Sequence, residues 1–226
     1  MAIVDVLIQY WPVLLQAFET TLILAAAGFL VGAAIGLPLS LLETYASKPI
    51  RWLATAYVEV IRGTPMLVQL FLLYYALPQL GVTFNAMTAA IIGLGVNSGA
   101  YQAEYFRGAI KSVPSGQMDA AVSIGLSKLQ AILNVILAQS LRLVIPAWTN
   151  EVVYLVQYSS VVYLITVVEL TGAGAIIGAH TFEYVAIYVI IAVIYLATTL
   201  AIVKISHLME FRSAIPGLTS SKSTRF

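Results

Sequence analysis

The chain has 226 residues, of which 61% are hydrophobic and only 9% are charged. Soluble domains carry about a quarter charged residues, so this composition indicates an integral membrane protein. The net charge of +1 provides no basic field for nucleic acid. Cysteine is absent, which excludes disulfides and thiolate metal sites. The two histidines, His180 and His207, do not predict a metal site.

The first segment, residues 1–17, is apolar and contains Tyr10 and Trp11. It lacks the basic start and small-residue cleavage site of a signal peptide. It is also too short to cross a bilayer. Its aromatic residues are typical of the membrane interface, so we predict an interfacial helix.

Five further stretches are long and apolar enough to cross a bilayer core, which takes roughly 20 helical residues. In chain order they are residues 20–42, 52–77, 85–106, 143–168 and 184–205. We therefore predict an all-α integral membrane protein with a five-helix core over residues 20–208. The whole chain, 1–226, forms one domain in this interpretation, and residues 213–226 form a polar cytoplasmic tail.

Basic residues are confined to one set of connecting segments. Residues 1–19, 78–84 and 169–183 contain no Lys or Arg, whereas every basic residue except Arg62 lies on the other side. The positive-inside rule then places the N-terminus outside and the C-terminus in the cytoplasm. Residues 107–142 are cytoplasmic by the same rule.

A polar block, "RGAIKSVPSGQMDAAVSIGLSKLQ", interrupts the hydrophobic pattern between the third and fourth spans. Pro114 and Ser115 can begin a helix, and Gly125 can end it. Residues 127–130 have the pattern of a capping box, which predicts a second helix. Ala120 and Ala121 would leave a smooth face for a soluble partner. A connector without a partner explains the same pattern equally well.

The same block carries a family resemblance. "DAAVSIGLSKLQAILNVILAQ" resembles the coupling motif of ABC importer membrane subunits, with Asp119 in place of the usual glutamate. "YVEVIRGTPMLVQLFLLYYALP" and "LRLVIPAWTNE" are similar to the polar amino-acid permease branch, which includes histidine, arginine and glutamine permeases. The likeness extends over about residues 20–212.

The resemblance implies the type I ABC importer fold, with a cytoplasmic coupling helix between spans three and four. It implies that two permease subunits pair, as a homodimer or a heterodimer, around a pathway that works by alternating access. Two copies of a cytoplasmic ATPase would bind ATP and Mg, and an extracytoplasmic protein would deliver the amino acid. The cell membrane of a prokaryote is the location implied. The residues expected to couple to the ATPase are Ser115, Gln117, Asp119, Ala120, Ala121 and Gly125.

Charges inside the spans are costly and need partners. Glu59 and Arg62 are three residues apart and can pair on one helix face, as can Glu104 and Arg107. Spans two and three run antiparallel, so pairing between them is also expected. A static ion-pair network and a gate that rearranges during transport both fit this pattern.

Gly63, Thr64 and Pro65 interrupt the second span, because proline removes a backbone hydrogen bond. A static kink is one interpretation. A bend that places Thr64 and Gln69 beside the pathway is another, and the two are compatible.

The fourth span contains Glu151, which we predict to be functional because an unpaired buried carboxylate is costly. Asn97, Ser98 and Gln102 on the third span could line the same cavity, and Tyr154 and Tyr158 lie near its face. Helix packing is the alternative role for the small serines. The remaining candidates on the pathway are Gln157, Ser159 and Ser160. A glutamate without a neighbouring lysine favours a cationic or neutral amino acid over an acidic one.

On the outer side, "TGAGAIIGAHTF" could close the pathway or touch a binding protein, although a solvated loop is the simpler interpretation for His180. An ion-gradient-driven carrier or channel is the alternative function. It is disfavoured by the chain's small size and by the lack of evident inverted repeats. A membrane-embedded enzyme lacks a catalytic motif in this sequence. The sequence also holds no Walker A motif, so ATP hydrolysis would need a separate subunit.

Overall fold

The computed structural model describes residues 3–213, and no strand occurs among them. The α-helices of this part are α1 (Ile3–Tyr45), α2 (Lys48–Arg62), α3 (Met66–Phe71), α4 (Ala86–Ser112), α5 (Ser115–Ser123), α6 (Lys128–Ala131), α7 (Leu137–Leu143), α8 (Ile145–Tyr158), α9 (Leu170–Thr181) and α10 (Tyr184–Ser213). Segments Leu72–Ala76 and Ile132–Ile136 are π-helical, and Leu77–Leu80 and Ser159–Ile165 are 3-10 helical. The all-α prediction is confirmed. The predicted tail lies outside the described residues apart from its first residue, Ser213.

Helix α1 corrects the prediction of a separate N-terminal helix. It runs for 43 residues without a break from the first segment into the first predicted span. At about 1.5 Å per residue it is about 64 Å long, more than the thickness of a bilayer with its headgroups. Val6 and Leu14 in its first part are buried against Leu170 of α9 and Ile187 of α10. Packing on these helices holds the two parts of α1 in one line.

Helix α4 lies at the centre of the bundle and packs against α1, α2, α3, α7 and α8. Its approach to α1 depends on glycines spaced four apart, including Gly36 on α1 and Gly99 on α4. A Cβ on Gly36 would lie 2.9 Å from the Ala103 nitrogen, and one on Gly99 would lie 2.8 Å from Cγ2 of Ile35. Small residues at this spacing let membrane helices approach closely.

The predicted second span is sharply bent, and the predicted fourth span begins at a bend. The segment before Gly63 and the segment after Pro65 meet at 100°, and residues 128–143 and 145–165 meet at 56°. Helices α1 and α10 are each long and apolar enough to cross a membrane, and each bent pair could supply one more span. The predicted fourth span, residues 143–168, therefore starts at a bend and ends in a 3-10 helix.

The polar block has the local structure predicted for it. Helix α5 begins at Ser115, and Gly125 adopts a left-handed backbone with φ of 93°. The Ser127 hydroxyl accepts from the Gln130 nitrogen at 3.3 Å, and the Gln130 side chain accepts from the Ser127 nitrogen at 2.9 Å. This reciprocal pair is the predicted capping box.

The glycine-rich link forms a helix, α9, whose glycine face is buried against α10, so the solvated loop expected around His180 is helical. Gly174 lies so close to α10 that a Cβ on it would clash with Cδ1 of Ile191. Glu169 caps the helix, since its carboxylate accepts from the backbone of Thr171 at 2.9 Å and Gly172 at 2.8 Å. His180 is exposed, as expected, although it lies on this helix.

Candidate functional site

A cavity of about 300 Å³ lies where α2, α3, α4 and α8 meet. Aromatic and apolar side chains form most of its walls and a few polar groups project among them, a combination typical of small-molecule sites. The lining residues are Arg62, Met66, Leu94, Asn97, Tyr101, Tyr105, Glu151, Tyr154, Leu155 and Tyr158. Of the predicted pathway residues, Asn97 and Glu151 line this cavity directly.

Glu151 is the acidic group of the cavity and only 4% of it is exposed. The Ser98 hydroxyl on α4 donates to its Oε1 at 2.5 Å, and the Tyr105 hydroxyl is a second hydrogen-bond partner. A buried carboxylate needs such donors to offset its desolvation. The remaining acceptor capacity of Glu151 is available to the cavity.

Arg62 is the cationic group of the same cavity. Its side chain is 43% exposed, and Nη1 lies 3.7 Å from Oε2 of Glu104. Its guanidinium lies over the ring of Tyr101, with Cζ 5.2 Å from the centroid. A cation stacked on an aromatic ring keeps its N–H groups free at the ring edge. The cavity thus offers a cation and a carboxylate in one space.

The break between α2 and α3 is stabilised by one side chain. Nε2 of Gln69 donates to the Ile61 carbonyl at 2.7 Å and to the Thr64 carbonyl at 3.1 Å. Its Oε1 accepts from the Asn97 side chain at 3.1 Å. Gln69 therefore satisfies carbonyls that the missing helical turn leaves open, and it orients a residue of the cavity wall.

A second polar chain lies behind Glu151. Nε2 of Gln102 donates to the Phe29 carbonyl and to the Ser98 hydroxyl, both at 3.0 Å. Ser98 and Gln102 are 1% and 0% exposed, so neither reaches the cavity surface. Ser98 and Gln102 were predicted to line the cavity, but they lie behind Glu151 and support it.

Four further predicted pathway residues lie away from this cavity. Gln157 is exposed on another face of α8, and Ser160 is only partly buried. Ser159 is fully buried and donates to the Val156 carbonyl at 2.7 Å. Thr64 is exposed and bonds the Val60 carbonyl at 3.0 Å and Nε2 of Gln69 at 2.8 Å.

The ion pairs differ in part from the prediction. Arg62 does not pair with Glu59; its ion-pair partner within the described residues is Glu104 of α4. Glu104 also pairs with Arg107, whose Nε donates to Oε1 at 2.9 Å, as predicted. Glu43 of α1, which the prediction did not include, has its Oε2 4.0 Å from Nε of Arg107. The network thus joins α1, α2 and α4.

Residues 28–213 match the family of the binding-protein-dependent transport system inner membrane component. The chain belongs to this family. It is 40% identical over 190 residues to the "Probable amino-acid ABC transporter permease protein YckA" of Bacillus subtilis (strain 168), with 84% of each chain covered. It is 35% identical over 206 residues to the "Glutamine transport system permease protein GlnP" of Escherichia coli (strain K12), covering 90% of this chain and 94% of that one.

The fold agrees with this membership. A solved structure described as "an amino acid ABC transporter with histidines" superposes with a TM-score of 0.85 and 38% identity, covering 91% of this chain and 96% of that one. The resemblance to type I ABC importer permeases and their all-helical fold is confirmed, whereas the number of spans and the coupling helix stay predictions. The chain is the inner membrane component of a transport system. The cavity that contains Glu151 and Arg62, the permease cavity, lies within its helix bundle.

The sequence prediction missed Tyr101 and Tyr105 on the wall of the permease cavity. Both follow Asn97 at intervals of four, so the three residues share one face of α4. That spacing was available from the sequence. It has meaning only beside Glu151, because aromatic residues spaced four apart are also common in helices that simply pack.

Helix α5 exposes most of the residues that were predicted to couple the permease to the ATPase. Asp119 and Ala120 are exposed, whereas Ala121 is buried, which corrects the prediction that both alanines face a partner. Gln117 accepts from the side chain of Gln139 on α7 at 3.1 Å, so it also holds α5 in place. Exposed large apolar side chains on α5 and just after it are Val122, Ile124 and Leu129.

Among the described residues, no group of three or more His, Asp or Glu side chains could hold a metal ion. The acidic residues of the ion-pair network are matched with arginines.

Proposed function

We propose that this permease carries a cationic or neutral amino acid across the membrane in an ATP-driven importer. The observation that carries the proposal is the cavity with Glu151 and Arg62 on its walls. A free amino acid has an ammonium and a carboxylate, and each finds an opposite charge there. The names of YckA and GlnP, which refer to amino acids and to glutamine, support the same substrate class.

The substrate preference follows from the partners of the two charges. Arg62 is shared with Glu104, so part of its positive charge is already neutralised. Glu151 receives only neutral hydroxyl donors. The cavity therefore favours a substrate with extra positive charge or none over an acidic amino acid, whose second carboxylate would meet Glu151.

The ATPase would bind the surface of α5. Its exposed face combines Asp119 and Ala120 with the apolar Ile124, which is 80% exposed. An apolar patch with small residues suits a groove on a soluble protein. Because the sequence has no Walker A motif, ATP and Mg belong on that partner. Two ATPase copies would serve a pair of permeases, either identical or related.

The orientation rests on the charge pattern. The N-terminus lies outside and the tail in the cytoplasm of a prokaryote, so α5 faces the ATPase. An extracytoplasmic binding protein releases the amino acid at the opposite end. ATP binding draws the two α5 helices together and opens the pathway outward, and hydrolysis returns it. The junction of Arg62, Glu104, Arg107 and Glu43 is the contact between helices that this motion would rearrange.

The test is uptake of labelled amino acids by proteoliposomes that contain the complete transporter. ATP-dependent uptake of arginine or glutamine, competed weakly by glutamate, is expected. Uptake that follows an imposed ion gradient without ATP would overturn the proposal in favour of a secondary carrier.

Coupling is tested with two glycines of matched geometry. Gly125 and Gly81 both have positive φ, 93° and 83°, and neither has an atom within 4 Å of an added Cβ. Gly125→Asp should release the ATPase from the purified complex, whereas Gly81→Asp should not. Equal retention of the ATPase in both variants would show that α5 is not its binding surface.

A further inference from the structure

A one-way chain of hydrogen bonds connects α1 to the carboxylate of the cavity. The Phe29 carbonyl accepts from Nε2 of Gln102, and the same amide donates to Ser98, each at 3.0 Å. Ser98 then donates to Glu151 at 2.5 Å. Three helices, α1, α4 and α8, thus take part in placing one carboxylate.

The direction of this chain is determined by chemistry. A carbonyl oxygen can only accept, so the –NH₂ end of Gln102 must face Phe29 and Ser98. A hydroxyl has a single proton. Since Ser98 accepts from Gln102, the geometry directs its proton to Glu151.

Close packing prevents Gln102 from turning away. A Cβ on Gly32 would lie 2.7 Å from Nε2 of Gln102, and a Cβ on Gly36 would lie 2.8 Å from its Cβ. The amide is therefore pressed between α1 and α4 at a point where the helix backbones nearly touch. It is fully buried and does not line the cavity.

We infer that Gln102 is a positioning residue that makes the permease select positively charged groups. The Gln102 amide donates to the Ser98 oxygen, so the single Ser98 proton is left to donate to Glu151. Glu151 then faces the cavity as an ionised acceptor. This inference rests on the proposed function, because it assumes that the cavity binds an amino acid.

Without the Gln102 amide, the Ser98 hydroxyl is free to rotate and to accept a hydrogen bond from a protonated Glu151 carboxyl. Glu151 could then be neutral and no longer attract an ammonium or guanidinium group. Binding of a cationic amino acid should weaken, while binding of a neutral one with the same backbone groups changes less. The signature is thus a change in selectivity and not a uniform loss.

The experiment measures equilibrium binding of labelled L-arginine and L-glutamine to the purified complete transporter. Gln102→Met keeps the length of the side chain and removes its hydrogen bonds. We expect arginine affinity to fall at least tenfold and glutamine affinity by less than threefold, with the melting temperature of the complex recorded in parallel. The exposed Gln9→Met is the matched control and should leave both affinities unchanged.

A double-mutant cycle separates this role from general packing. If Gln102 acts through Ser98, Gln102→Met should have little further effect on arginine binding in a Ser98→Ala background. Equal losses for arginine and glutamine, or fully additive losses in the cycle, would overturn the inference. If Gln102→Met does not assemble, Gln102→Asn withdraws the amide from Ser98 by one methylene and must show the same change in selectivity.

The result also distinguishes the two proposals. A wild-type complex that binds neither amino acid contradicts the proposed function, and the inference falls with it. A wild-type complex that binds arginine, with an unchanged arginine-to-glutamine ratio in the Gln102 variants, contradicts only the inference.

Discussion

Gly32 on α1 lies so close to Ser98 on α4 that a Cβ atom on Gly32 would be 2.6 Å from the Ser98 Oγ. The α1 backbone at Gly32 thus holds Ser98 of α4 in place, and Ser98 in turn holds the Glu151 carboxylate of α8. Helix packing and site geometry are therefore the same feature at this point of the permease.

Gly32→Ala should lower stability by about 1–3 kcal/mol, the usual cost of overpacking a close contact. Ser98 must move to accommodate the methyl group, so substrate binding should weaken as well. Melting of the purified protein in detergent and ligand binding measure the two effects. Gly108→Ala, which meets no atom within 4 Å, is the control and should be neutral or slightly stabilising. Similar melting of the two variants would contradict the packing described.

Gln69→Ala should destabilise the bend between α2 and α3. The variant leaves the carbonyls of Ile61 and Thr64 and the amide of Asn97 without this partner, and because these groups are only partly buried the loss should be about 1 kcal/mol. The melting temperature in detergent is the measurement. Gln9→Ala on exposed α1 surface should change it little, and an equal drop in both variants would argue against a role for Gln69 at the bend.

Thr166 adopts a left-handed backbone with φ of 72°, which is unfavourable for a β-branched residue. Its hydroxyl lies 3.3 Å from that of Tyr74. Thr166→Gly and Thr166→Ala both remove this hydrogen bond, but only glycine relieves the backbone strain of about 1–2 kcal/mol. The glycine variant should therefore melt at a higher temperature than the alanine variant.

The matched control for this comparison is Val161 in the preceding 3-10 helix. There the order should reverse, with Val161→Gly less stable than Val161→Ala by about 0.5–1 kcal/mol. The same order at both positions would mean that Thr166 is not strained.

Glu104→Gln should destabilise the bundle, because it removes the carboxylate that both Arg62 and Arg107 contact. A partly exposed pair contributes modestly, about 1 kcal/mol. Glu59→Gln should have almost no effect, since Arg62 pairs with Glu104 and not with Glu59. Thermal melting of the two variants at low and high salt checks this. A larger drop in melting temperature for Glu59→Gln would support the Glu59–Arg62 pair that spacing alone predicted.

Local features of this permease were predictable from the sequence because short-range chemistry determines them. The capping box of Ser127 and Gln130, the left-handed Gly125 and the interruption at Pro65 each depend on neighbouring residues only. The hydrophobic pattern likewise indicated a membrane protein, and the motif around Asp119 indicated the family.

Contacts between segments that are distant in the chain were harder to predict from the sequence. Arg62 has carboxylates at two plausible positions, and only the packing of α2 on α4 selects Glu104. The burial of Ala121 and the folding of residues 170–181 into a buried helix also depend on neighbours that are far away in the chain. Spacing alone carries no information about which face of a helix another helix will cover.

The sequence by itself determined that this chain is a helical membrane permease with a helix–turn–helix block on one side. Only the tertiary structure decided which polar residues form the cavity and which stand behind it. The physical reason lies in the glycines of α1 and α4, whose close approach buries Ser98 and Gln102 and leaves Glu151 facing the open space.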